Sequence, residues 1–172
     1  MKRERNNQGF VMKHTLLIAA TATALLAGCA STTEQSQSAA TNADARFSDC
    51  NLPTLEDDRG PIKPSLFVVG TFPEGQWIHL DTHKMGYKGD GIYQVVSDEQ
   101  AGNVSLQFAT MSWTPQFTAA GMSMTVGQVN ELKRGGFAKN TVVSLPKDGK
   151  YVWTIQLAPD KAPLYAMVSE CK

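Results

Sequence analysis

Three cysteines and three histidines in 172 residues leave little material for a zinc cluster or for acid–base chemistry. Sixteen Lys and Arg balance sixteen Asp and Glu, so the formal net charge is zero. The basic footprint of a generic nucleic-acid binder is therefore missing. No Gly-x-Ser-x-Gly, phosphate-cradling loop or Cys-x-x-Cys occurs, which removes nucleophile-elbow hydrolases, P-loop enzymes and thioredoxin-like redox proteins. Glu56, Asp57 and Asp58 cluster, but ahead of the strand-patterned region, so they make a poor paired-carboxylate centre. No enzyme, cofactor or resident metal is expected. What is present is enough for one ordinary domain of roughly 100–150 residues. The chain is 42% hydrophobic and 8% aromatic, too apolar for a disordered polymer.

The first segment reads as an address. Lys2, Arg3, Arg5 and Lys13 precede an apolar stretch, Leu16 to Leu26. That stretch falls short of the roughly 20 residues needed to span a bilayer. A basic head, a short apolar body and small residues after it describe a secretory signal, with Met1 or Met12 as its start. Leu26-Ala27-Gly28-Cys29 resembles the lipobox of bacterial lipoproteins. The resemblance implies that Cys29 is acylated and becomes the first mature residue; the other reading is an ordinary signal with a chance cysteine. Small residues at 27 and 28 let the peptide lie extended in a protease, and the Cys29 thiol is the nucleophile. Acyl chains anchor firmly, at about 0.8 kcal/mol per buried methylene. Ala30, in place of Asp, implies export to the outer membrane. The expected division is a signal peptide at 1–28, a flexible tether at 29–45 and a folded domain at 46–172. Cleavage removes four basic residues and one acidic residue, so the mature net charge is −3.

With Cys29 lipidated, Cys50 and Cys171 remain as an even pair in an oxidising compartment. A disulfide between them is expected, against the alternative of two unpaired thiols. It would tie the first segment of the domain to the last.

From Ile62 onward the apolar pattern has period two. Leu66–Gly70, Ile92–Val96, Val104–Ala109, Thr141–Leu145, Tyr151–Leu157 and Leu164–Val168 all read as strands, rich in β-branched and aromatic residues. Asp90-Gly91 permits a tight hairpin turn. Gly102-Asn103, Gly135-Gly136 and Lys147-Asp148-Gly149 mark further turns. Gly127 to Lys133 reads as one helical turn. Six or more strands at this spacing predict an all-β, antiparallel β-sandwich. Trp153 repeats with Tyr151, Ile155 and Leu157 and belongs to the core. Trp77 and Trp113 lie instead in turn-rich, polar surroundings.

Pro64 to Val168 resembles the starch- and glycogen-binding β-sandwich of the isoamylase N-terminal type, as attached to bacterial pullulanases. The similarity opens with Pro64-Ser65-Leu66-Phe67-Val68-Val69-Gly70-Thr71-Phe72 and Trp77. It continues through Met85-Gly86-Tyr87-Lys88-Gly89-Asp90-Gly91-Ile92-Tyr93-Gln94, Leu106-Gln107-Phe108-Ala109 and Trp113. Gly135-Gly136, Asn140 and Gly149-Lys150-Tyr151 close it. The loop before Trp77 lacks the Asn usual in the family, Gln107 stands where Lys is common, and Met122–Gly127 looks like an insertion. The resemblance implies an immunoglobulin-like, early-set fold and an α-glucan partner. It also implies that Trp77 and Trp113 stack on glucose rings, with Gln107 and Asn140 as polar contacts. An indole offers a rigid apolar surface to the C–H face of a pyranose, and the desolvated hydroxyls around it then need partners.

Two other readings compete. The chain could be an envelope accessory protein that reuses the fold without binding sugar. Alternatively, His79, Asp81 and His83 would share one side of a strand and could ligate zinc or copper, although a polar exposed edge explains the same string.

Overall fold

The computed structural model describes residues 45–172. The expected signal peptide, Cys29 and the expected tether as far as Asp44 lie outside the described residues. Eleven strands follow one another: β1 (Leu66–Phe72), β2 (Gly75–Gln76), β3 (Lys84–Gly89), β4 (Ile92–Glu99), β5 (Gly102–Thr110), β6 (Gln116–Ala119), β7 (Ser123–Met124), β8 (Asn130–Arg134), β9 (Thr141–Leu145), β10 (Gly149–Leu157) and β11 (Pro163–Glu170). Each of the six expected strand windows falls within one of these strands.

One layer runs β3-β4-β10-β11-β8, and the other is built on β1, β5, β6 and β9. The start of β1 also pairs with β3, and β8 pairs with both β11 and β6. The hydrogen bonding therefore closes on itself through two shared strands, which protects edges that an open sheet would expose. All pairings are antiparallel except β7 with β9. The expectation of an antiparallel β-sandwich holds at this level.

The period-two pattern has a direct packing result. Leu66, Val68, Phe108, Tyr151, Trp153, Ile155 and Val168 point between the layers into one core. Trp153 is fully buried, and its Nε1 donates to Ser97 Oγ (3.0 Å) and Glu99 Oε1 (3.1 Å). The β3–β4 hairpin turns at Asp90 and Gly91, whose φ angles of 48° and 77° are both positive, as a two-residue type I′ connection requires. A Cβ at Gly91 would lie 1.8 Å from the Leu157 carbonyl oxygen, so no larger residue fits.

Two expectations need correction. Gly127–Lys133 is no helical turn: Asn130–Arg134 is strand β8. Both neighbours, β6 and β11, present edges that need a partner, and this overrides weak local preference. The string His79–His83 is not a strand either, since Asp81–His83 forms a short 3-10 turn. His83 is buried, not on an exposed edge. Its Nε2 lies 3.1 Å from Glu99 Oε1 and its ring packs 4.2 Å from that of Phe72.

The far layer is buried on its outer face as well, because the segment at 45–50 lies over it. Phe47 packs with Ile92 and Met167. Gln94 Nε2 donates to the Arg46 carbonyl (2.6 Å), and Thr154 Oγ1 to that of Phe47 (2.8 Å). Beside it, Tyr93 Oη accepts from the Ile62 N–H and donates to the Arg59 carbonyl. Burial pushes its pKa up to about 12. The expected disulfide is present: Cys50 and Cys171 are bridged, with Cα atoms 5.9 Å apart. The bridge fastens the covering segment beside the end of β11.

The bridged cysteines are separated by 121 positions. A loop of this size is worth about 4–5 kcal/mol in the chain-entropy account. Cys50→Ser with Cys171→Ser is therefore expected to lower the denaturant midpoint strongly, and reduction of the wild type is expected to do the same. A midpoint that stays put would contradict this role.

Candidate functional site

The site is built on the outside of β1 and β5. Antiparallel register sets Phe67 opposite Ala109 and Val69 opposite Gln107. Because side chains alternate, Leu66 and Val68 face the core while Phe67 and Val69 face outward. Those outward residues are nonetheless buried, because Trp77 and Trp113 fold over them together with Ala109. Each indole thus has one part on an apolar floor and another part open.

Local backbone places both rings. The chain leaves β1 through the β2 hairpin, and the Trp77 N–H returns to the Gly70 carbonyl at 2.7 Å. Past β5, the Trp113 N–H bonds the Thr110 carbonyl at 2.8 Å. Trp77 and Trp113 have φ of 59° and 60°, the left-handed region that costs a non-glycine residue roughly 1–3 kcal/mol. Strain of this kind persists where the surroundings impose it, and it gathers at binding and catalytic sites. His79 props the arrangement. Its Nε2 donates to the Thr110 carbonyl (3.0 Å), and its ring stands edge-on to Trp113 at 5.1 Å and to Phe67 at 5.2 Å.

The indole centroids are 6.4 Å apart with planes inclined by 42°. They line one trough of about 550 Å³ with Gln107, Gln116, Phe137, Ala138 and Asn140. The four residues singled out from the sequence are therefore brought together, although 63 positions separate Trp77 from Asn140 in the chain. Asn140 is half-buried at the start of β9. Gln107 is only 3% exposed. Its Nε2 donates to Asn140 Oδ1 (2.8 Å) and to the Gly136 carbonyl (3.0 Å).

Sequence reasoning missed Phe137. It stands in the β8–β9 loop at 99% exposure and lines the same trough. The signal was available: Gly135-Gly136-Phe137-Ala138 sets a lone aromatic in a turn, the same logic that picked out the two tryptophans. A phenylalanine this exposed gains nothing from burial, and its place beside the two indoles on one trough is what makes it part of the candidate site. Among the described residues, no three His, Cys, Asp or Glu side chains are grouped to hold a metal ion. His79 and His83 each have other partners, and they do not share a face.

A solved structure shares this architecture. It is described as the ligand-induced structure of AmyP-SBD, a starch-binding domain. The two chains are 34% identical, the match covers 90% of this chain and 99% of that one, and the TM-score is 0.58. The chain belongs to the family of that domain. No protein-family model matches it, and no curated protein does. With 99% of the neighbour's chain spanned, the likeness embraces the whole of that domain and not a fragment of it.

The left-handed backbone makes a specific forecast. Removing the Trp77 indole uncovers Phe67 and Val69 in either variant, but glycine also relieves the φ strain. Trp77→Gly is therefore expected to be more stable than Trp77→Ala by about 1 kcal/mol, read by chemical denaturation. The reverse order would show that the backbone there is unstrained.

Proposed function

We propose that the trough between Trp77 and Trp113 binds α-glucan of the starch, glycogen or maltodextrin class, and that the domain is non-catalytic. The observation that carries this is the pair of half-open indoles sharing one concave surface with three amide side chains, Gln107, Gln116 and Asn140. A glucan chain offers apolar ring faces with hydroxyls at their rims. The inclined indoles supply matching apolar planes, and Asn140 and Gln116 supply polar edges. The described starch-binding neighbour supports the same ligand class. Phe137 gives the trough a third aromatic wall.

The finer placement, as an immunoglobulin-like early-set module of the isoamylase N-terminal type, is proposed on the ordered motif series from Pro64 to Val168. The lipobox-like Leu26–Cys29 supports a further proposal. The domain would be carried on lipidated Cys29 at the bacterial envelope, on the outer membrane, so that glucan is captured next to the cell. No helix among the described residues is long and apolar enough to cross a membrane, and an acyl anchor needs none.

Affinity electrophoresis of fragment 46–172 in gels containing glycogen or soluble starch tests the reading. The wild type is expected to be retarded. Trp113→Ala is expected to raise the apparent Kd at least about tenfold, a loss of about 1.4 kcal/mol, and Phe137→Ala to weaken retention by a smaller factor. Mobility that does not respond to glucan would favour an envelope accessory role without sugar binding.

A further inference from the structure

We propose that Gln107 is a positioning residue that sets the polarity of the trough. It turns the Asn140 amide so that the site presents a hydrogen-bond donor, and not an acceptor, to its ligand. The ligand side of this inference rests on the glucan reading; the amide arrangement stands on the structure alone.

The orientation follows from one fixed point. The Gly136 carbonyl only accepts hydrogen bonds. The Gln107 side-chain atom 3.0 Å from it is therefore the amide nitrogen. With the amide flipped, an oxygen would face the carbonyl oxygen and the bond would become a repulsion. The same nitrogen lies 2.8 Å from the Asn140 side chain, so the Asn140 atom that meets it is the oxygen. Asn140 Nδ2 is thereby left on the outer side. Among the described residues it is neither hydrogen-bonded nor a buried unpaired atom.

A second observation concerns the other end of the same amide. Its Oε1 is buried with no hydrogen-bond partner, alone in that state among the described side chains. Leaving a buried acceptor unpaired is unfavourable, and an apolar side chain of similar length would fill the same space without that penalty. What the amide supplies in return is the pair of bonds that its nitrogen makes. Gly135 makes room for it: a Cβ at that position would lie 3.0 Å from Oε1 and 3.2 Å from the Phe117 nitrogen. The loop that carries Phe137 is fastened by the same bond, since the Gly136 carbonyl also accepts from the Lys139 N–H (3.1 Å). The family resemblance implied that Gln107 touches the ligand directly. At 3% exposure it acts one residue further back, through Asn140.

The test combines a ligand-free signature with an affinity. In the sugar-free protein, the Gln107 side-chain amide protons are expected to be protected from solvent exchange by NMR, and those of Asn140 to exchange freely. In Gln107→Glu, measured at a pH where the buried carboxyl is ionised and cannot donate, Asn140 turns its nitrogen inward and takes over the protection. Its oxygen then faces the trough, and affinity for maltoheptaose falls about tenfold, the effect of one hydrogen bond. Should that variant fail to fold, Asn140→Asp puts the same question. It keeps the acceptor for Gln107 and loses the outward donor, with the same expected fall. Protected Asn140 protons in the wild type, or wild-type affinity in both variants, would overturn the proposal. If the exchange pattern holds but maltoheptaose binds to no form, the amide arrangement is supported and only the glucan ligand is wrong. If the wild type binds and the pattern is reversed, the glucan reading survives and the positioning role does not.

Discussion

Everything about the site depends on one packing constraint: β1 is buried on both faces. Its inward residues fill the space between the layers, and its outward residues, Phe67 and Val69, form a second apolar surface with Ala109. A surface of that kind is unfavourable in water, since each apolar Å² exposed costs about 25 cal/mol. Two tryptophans cover it. Each indole packs on this floor with one part of its ring and stays only half-buried, so the other part faces outward. The proposed binding platform is the outer side of the cover.

The same constraint explains the tolerated backbone strain. Trp77 and Trp113 both adopt left-handed φ values, which bring the chain sharply back over the sheet at the ends of β1 and β5. Hydrogen bonds to Gly70 and Thr110 fix each turn, and His79 wedges against Trp113 from the side. The rings are thus preorganised before a ligand arrives, so less ordering is required on binding. On the opposite layer, the segment around Phe47, fastened by the Cys50–Cys171 bridge, covers the outer face in its turn. Part of one outer face is covered by the segment around Phe47, and part of the other by aromatic side chains that stay half-exposed.

Much of this was legible in the sequence. Strict alternation in Tyr151–Leu157 and Val104–Ala109 predicted the strands, because period two follows from the pleat itself. Asp90-Gly91 named its turn. The tryptophans in polar, turn-rich surroundings pointed to the trough that they line together. What escaped has a common cause. Strand β8 has little apolar alternation and forms because two other strands leave edges beside it. His83 reads as a polar surface residue and is buried because Glu99, sixteen positions on, supplies a partner. Phe137 was legible by the same rule as the tryptophans, as a lone aromatic in a glycine-rich turn.

By itself, the sequence determined the fold class, the cysteine pair and the residue types of the site. Those properties are carried by local period, by turn chemistry and by counting. Only the tertiary structure decided how the polar groups are used. Gln107 and Asn140 are 33 positions apart, and nothing in either neighbourhood says which one meets the ligand. The proposed answer comes from a backbone carbonyl of a third segment, Gly136, which lies against Gln107 and orients both amides.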